Sequence, residues 1–258
     1  MSFGEPLWAA FGLWRTGVSR ALGALALYAG LYAIGLLVPL PPWALIGLVV
    51  VELLVWAVAF GALMRIALAD LHADEPSYRL GPAGLQWGVI ETRLFTARLL
   101  LLLLLFLILV AAVFCMMLAA IVVSAMTGPP PKLAAGISLT PAALAVILVG
   151  LAFAGVTVWV ATRLALSSPA TADRVKVQVF STWPLTRGAR AWGLLAPMPM
   201  LIFITFALGF LVRWAMRCGS LPASALPAVW IAYALFVGFV QTPLAAGVSA
   251  EAYRRLKS

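Results

Sequence analysis

Residues 99–123 read LLLLLLLFLILVAAVFCMMLAAIVV, a run without one charged side chain. A helix over these positions, at ~1.5 Å per residue, extends about 37 Å. The hydrocarbon core of a bilayer is about 30 Å thick. A helix on the surface of a soluble domain needs a polar face, and this run has none. Inside lipid a backbone has no water to bond, so it must satisfy its own N–H and C=O groups by coiling. The run therefore predicts a membrane-spanning helix.

The same character extends through the chain. Of its 258 residues, 65% are hydrophobic and 10% charged, against roughly 45–50% and about 25% for soluble domains. Six apolar segments stand out: Ala21–Leu40, Trp43–Leu68, Leu99–Val123, Pro141–Leu166, Gly193–Val212 and Leu226–Val248. The first is longer than a signal-peptide core and runs into Pro39, Pro41 and Pro42 rather than a small-residue cleavage site, so it is expected to be a retained helix. Short Pro- and Gly-rich breaks separate partners: Val38-Pro-Leu-Pro-Pro42, Thr127-Gly-Pro-Pro-Pro131 and Cys218-Gly-Ser-Leu-Pro222. Such breaks turn the chain between antiparallel neighbours. The expected fold is all-α: one polytopic membrane domain over 1–258, with six transmembrane helices as three helical hairpins and short interfacial helices.

Charge orients the segments. Of the 17 lysines and arginines, fourteen fall on one side: Arg15, Arg20, Arg65, Arg79, Arg93, Arg98, Arg163, Arg174, Lys176, Arg187, Arg190, Arg254, Arg255 and Lys257. Lys132, Arg213 and Arg217 fall on the other. Basic residues collect in cytoplasmic loops, so both termini and the two longer loops are expected in the cytoplasm of a bacterial inner (plasma) membrane. The net charge of +9 thus has a topological explanation and does not point to nucleic acid as a partner. Cys115 and Cys218 lie in or near different segments and imply no disulfide framework.

A threefold pattern is also legible. Basic, aromatic-bearing stretches precede the helix pairs: Phe11-Gly-Leu-Trp-Arg-Thr-Gly-Val-Ser-Arg20, Glu91-Thr-Arg-Leu-Phe-Thr-Ala-Arg98 and Trp183-Pro-Leu-Thr-Arg-Gly-Ala-Arg190. The second and fourth segments end alike, in Arg65-Ile-Ala-Leu68 and Arg163-Leu-Ala-Leu166. Three parallel hairpins, each led in by an interfacial segment, explain both echoes. In the third lead-in Trp183, Arg187 and Arg190 are candidate lipid or partner contacts, with Trp183 supplying apolar surface and the arginines charge.

Candidate chemistry is sparse. Glu52 lies nine residues beyond Trp43, about 13 Å into the second helix and near mid-bilayer. It reads either as a proton or cation relay or a polar-substrate contact, or as a protonated carboxyl hydrogen-bonded to a neighbouring helix. Asp70, His72, Asp74 and Glu75 gather acids around the only histidine, but one histidine in a loop running into Pro76 is more often solvated than a metal ligand. Arg213 and Arg217, four apart on one helix face, are lipid-phosphate or partner candidates, or snorkel at the interface. No Gly-rich phosphate loop, HExxH pair or GxSxG elbow occurs. No catalytic residue, metal site or cofactor is therefore expected, and the chain reads as a non-enzyme.

Arg163-Leu-Ala-Leu-Ser-Ser-Pro-Ala-Thr-Ala-Asp173 and Ser181-Thr-Trp-Pro-Leu-Thr-Arg-Gly188 form a recognisable pattern. They resemble the RLxLxxPAxxD … SxxLTRG stretch of YciC-like six-helix membrane proteins and of the membrane domain attached to some glycerophosphodiester phosphodiesterases. The resemblance covers the helix order and about 60 residues. It implies a helical membrane module, and it carries over no catalytic residue. The expected function is an accessory or scaffold module binding membrane lipids or another membrane protein. The alternative is the permease subunit of a transporter, with Trp183–Arg190 docking a separate ATPase. The topology is testable: reporters fused after Ala73, Thr171 and Ser258 should signal cytoplasm, and those near Lys132 and Gly219 periplasm. A periplasmic C-terminus overturns the orientation.

Overall fold

The computed structural model describes residues 4–72, 74–127, 140–218 and 222–257, and at 189, 190 and 223 the backbone alone. Lys132 and most of the second and third turns lie outside the described residues. Within them the structure is helical, without a strand. The helices are α1 (Gly4–Arg20), α2 (Leu22–Leu37), α3 (Pro42–Leu68), α4 (Val89–Thr127), α5 (Pro141–Leu164), α6 (Ser167–Arg174), α7 (Ala189–Leu195), α8 (Pro197–Arg217), α9 (Leu226–Phe236) and α10 (Thr242–Lys257). Five helical stretches are long and apolar enough to cross a membrane, and a sixth joins them if α1 and α2, bent by 91°, count as one span. This is an all-α polytopic membrane fold.

The boundaries differ from the apolar segments where polar residues continue a helix. The third segment was expected from Leu99, yet α4 begins at Val89. Glu91 occupies the third helical position and accepts a 2.9 Å hydrogen bond from the N–H of Gly88, the cap, which is half of a capping box. The fifth segment was expected from Gly193. Instead α7 precedes α8, with Pro197 and Pro199 in the first turn of α8, where a missing N–H costs nothing. The sixth continues past Val248 to Lys257.

The expected single domain divides into two compact units, one formed by Met1–Arg98 with Arg163–Ser258 and the other by Leu99–Thr162. In the second unit, the far parts of α4 and α5 approach where Gly150 leaves room for the sulfur of Met116. Its outer surface carries exposed Phe106, Phe114, Leu148 and Leu151, as expected of helices solvated by lipid.

The first unit is built on α3. The α2–α3 turn closes with extended Val38 and Pro41, and Pro42 opens α3. Leu63, Met64 and Leu68 of α3 are fully buried beside Leu25 of α2 and Ala246 of α10. Between α9 and α10 the chain forms a π-helical turn over Val237–Gln241. Pro243 lacks the N–H that would bond the Phe239 carbonyl in α-helical register. Trp14 of α1 fills that position, donating from Nε1 to Phe239 O at 2.6 Å. A carbonyl orphaned in one helix is thus the anchor for another.

Helix α1 presses against α10 so closely that a Cβ on Gly247 would stand 2.6 Å from Cα of Ala10. Gly247→Ala should therefore displace α1 and lower stability by about 1–3 kcal/mol. Gly12→Ala, where nothing lies within 4 Å, should leave stability unchanged or slightly raised. Denaturation in mild detergent measures both. Equal midpoints for the two variants would mean α1 is not seated on α10.

Candidate functional site: a polar cluster at the basic end and a charged seam along α3

The end of the first unit that carries most of the arginines is tied together at one carboxylate. Asp173, in α6, has a side chain 4% exposed. Tyr253 donates to its Oδ2 at 2.7 Å and Lys257 at 2.8 Å, both from α10. Nε2 of His72, from the turn after α3, lies 3.0 Å from Oδ1. Nδ1 of His72 lies 3.0 Å from Glu75 Oε1. Both contacts are hydrogen bonds only when the ring carries both N–H groups. The imidazole stacks on Tyr78, with centroids 4.1 Å apart and planes 10° apart. Tyr78 in turn donates to the Ala172 carbonyl at 2.6 Å. Burial, reinforced by the Asp173 and Glu75 carboxylates, pushes the Tyr78 hydroxyl well above the usual tyrosine range, so it stays a donor.

Local structure aims Asp173 into this cluster. After Arg174 the chain reverses through Val175, whose φ of 48° lies in the left-handed region, a costly conformation for a β-branched residue. The N–H of Gln178 then donates to Thr171 Oγ1 at 3.0 Å and fixes the reversal. The residues after α3, α6 and the end of α10 thereby meet at one side chain. Both oxygens of Asp173 are held by protein groups, so the cluster has the form of a staple rather than of a reactive centre.

A second polar element runs along α3. Arg65 donates to Glu91 from Nε (3.1 Å to Oε1) and Nη2 (2.7 Å to Oε2), with side chains 6% and 0% exposed. Gly61 makes room for this pair, since a Cβ there would stand 2.6 Å from Glu91 Oε1. About two and a half turns before Arg65 on α3 comes Trp56, stacked on Phe60 at 4.8 Å, with the Arg98 guanidinium 4.7 Å from its ring centroid. Glu52 is the next polar residue on α3 and interacts electrostatically with Arg98, but no ion pair within 4.0 Å joins them among the described residues. Each such charge within a bilayer costs at least ~2.5–3.5 kcal/mol on insertion scales, so an opposite charge nearby is a strong constraint on both.

Helix α1 shows three faces. Ala10 and Gly17 turn into the protein; Trp8, Phe11 and Trp14 are exposed on one flank; Gly12, Thr16 and Ser19 are exposed on the other. A shallow groove of about 240 Å³ runs along the polar flank, where Arg254 reaches the Ala67 carbonyl and approaches Asp70 at 3.4 Å.

The residues singled out by sequence fare differently. Glu52 lies half-buried within reach of Arg98. Trp183, expected to face lipid or a partner, lies under the Arg163 guanidinium at 5.1 Å, and Leu185 packs on the Leu166 and Tyr253 cluster. Arg187 is exposed, and the Arg190 side chain lies outside the described residues. Arg213 and Arg217 are exposed at the end of α8. Of the acids near His72, Glu75 contacts the ring, whereas Asp70 turns to Arg254. No group of three His, Cys, Asp or Glu suited to a metal occurs among the described residues. Sequence reading missed Tyr78, Asp173, Tyr253 and Lys257. Only Asp173 carried a signal, as the last residue of the RLxLxxPAxxD-like stretch.

Fold and clusters define the class as a polytopic helical membrane protein whose polar residues are largely enlisted in joining helix ends. No protein family, curated protein or solved structure matches the chain.

Removing one partner of a buried ion pair strands the other, at a cost of roughly 3–5 kcal/mol. Glu91→Ala should therefore destabilise strongly. Tyr253→Phe, which removes one hydrogen bond to a charged group, should cost about 1.5–3 kcal/mol. Lys257→Ala, at a side chain 48% exposed, should cost less than either. Unfolding midpoints in detergent rank the three, and a Lys257→Ala loss equal to that of Glu91→Ala would contradict the assignment of the buried pair.

Proposed function

We propose that this chain is an accessory or scaffold module of a bacterial inner membrane, of YciC-like type, that binds membrane lipid or another membrane protein. Its N- and C-termini lie in the cytoplasm, following the fourteen-to-three distribution of basic residues. The observation that carries the reading is α1. It is bent by 91° from the apolar α2, so where α2 crosses the membrane α1 lies along its surface. Its exposed Trp8, Phe11 and Trp14 suit the headgroup level, where aromatic side chains collect. Arg15 and Arg20, exposed on the same helix, suit an anionic leaflet. The polar groups at the same end are occupied in holding helices together, which favours a binding module over an enzyme.

A permease subunit is the second reading, resting on exposed Arg187 as a docking point for an ATPase. Trp183 and Leu185 are part-buried, against Arg163 and the Tyr253 cluster, so part of that segment's apolar surface is spent within the chain.

Each surface arginine contributes ~1 kcal/mol of attraction to an anionic leaflet. Arg15→Glu with Arg20→Glu should therefore reduce retained phosphatidylglycerol at least tenfold after purification in mild detergent, with the unfolding midpoint unchanged. Lipid mass spectrometry measures retention. Unchanged retention, with a nucleotide-binding subunit co-purifying with the wild type in fixed ratio, would replace this reading by the permease.

A further inference from the structure

Arg98 and Glu52 hold hydrogen-bonding capacity that the protein does not use. Arg98 has five N–H donors, yet none finds a protein acceptor among the described residues, and its Nε is buried. Glu52 likewise receives no hydrogen bond among the described residues, and no ion pair joins the two. Tyr28 of α2, 8% exposed, interacts electrostatically with both and has no hydrogen-bond partner for its hydroxyl among the described residues. Around them stand aromatic rings from three helices: Trp56 beneath the guanidinium, Tyr32 at 6.3 Å from Tyr28, and Tyr233 of α9 at 6.1 Å from Tyr32. The charges this unit buries most fully are matched, Arg65 to Glu91 and Asp173 to Tyr253, His72 and Lys257, while the Nε of Arg254, like that of Arg98, is buried without a hydrogen bond among the described residues. Here Arg98 and Glu52 interact electrostatically without an ion pair between them among the described residues.

We propose that Tyr28, Glu52 and Arg98 form an intramembrane binding site for a zwitterion. Its anionic group accepts from the Arg98 guanidinium, which suits phosphate or carboxylate. Its ammonium donates to Glu52 beside aromatic rings that attract cations. The Tyr28 hydroxyl interacts electrostatically with both poles. A net-neutral ligand matches a net-neutral site: an anion alone leaves Glu52 unmatched, and a cation alone leaves Arg98 unmatched. Two sources share this chemistry, the headgroup of a zwitterionic phospholipid and a free amino-acid-like or phosphoethanolamine-like solute. The inference is independent of the accessory-module reading, which rests on α1 at the membrane surface.

The test uses the purified full chain in mild detergent, with the unfolding midpoint as readout. Short-chain phosphatidylethanolamine, short-chain phosphatidylglycerol, free phosphoethanolamine, and phosphate with ethanolamine unjoined are each titrated. The expected result is half-maximal stabilisation by phosphatidylethanolamine or by phosphoethanolamine at a concentration at least tenfold lower than by phosphatidylglycerol or the unjoined pair. Stabilisation by the lipid alone identifies the headgroup as the source, and stabilisation by both identifies the free zwitterion as sufficient. Glu52→Gln should abolish the preference for phosphatidylethanolamine over phosphatidylglycerol, and Arg98→Gln should abolish both responses, while Lys176→Gln, exposed just after α6, should change neither. Equal responses to the two lipids, no response to any zwitterion, or a Glu52→Gln variant that keeps the preference overturns the site. The wild-type comparison decides the matter even if a variant fails to fold. The phosphatidylglycerol retained through Arg15 and Arg20 is read separately, so one proposal can fail while the other stands.

Discussion

Asp173 gathers Tyr253, Lys257 and His72 around one carboxylate, and the packing of the first unit's basic end follows from it. A buried carboxylate needs donors, because the medium around it supplies few. Those donors come from α10 and from the turn after α3, and the carboxylate itself stands on α6. Three stretches of chain must therefore converge before any one of them is satisfied. Tyr78 extends the convergence by stacking on the imidazole and bonding the backbone beside Asp173. A network whose members depend on one another in this way rigidifies more than it adds in isolated bond energy.

The same requirement for internal satisfaction explains a local irregularity. Pro243 interrupts the hydrogen bonding of the last span and leaves the Phe239 carbonyl to find another donor. Trp14 supplies it from α1, and Gly247, one turn further on, lets α1 close against α10. Interrupted helices are tolerated within membranes where a neighbour repairs the break. Here the repair also decides where α1 sits, and so which of its residues remain exposed.

Along α3 the charged groups form two contrasting cases. Arg65 and Glu91 meet in a bidentate geometry with Gly61 cleared to admit them, and they join α3 to the start of α4. Glu52 and Arg98 share a region without such contact. A direct pair spends its charges on the fold, whereas a separated pair keeps them available to a third party. That difference in geometry, rather than any difference in residue type, distinguishes a structural element from a candidate binding site.

The sequence alone determined the all-α class and most of the spans. A run such as 99–123 has one way to satisfy its backbone in lipid, and that way is local. It also marked Glu52 as costly and Asp173 as part of a pattern. It did not reveal that α4 starts at Val89, because Glu91 and Arg98 read as loop charges until Gly88 and Trp56 are seen beside them. It marked Trp183 as a candidate lipid or partner contact, and did not reveal that Trp183 also lies against Arg163 and Leu185 on the Tyr253 cluster. The partners of Asp173 lie 80, 84 and 101 positions away in the chain, and Trp14 lies 225 from Phe239. Backbone hydrogen bonding in a helix reaches four residues and is written in local composition. The pairing of polar side chains depends on which helices become neighbours, and only the tertiary structure decides that.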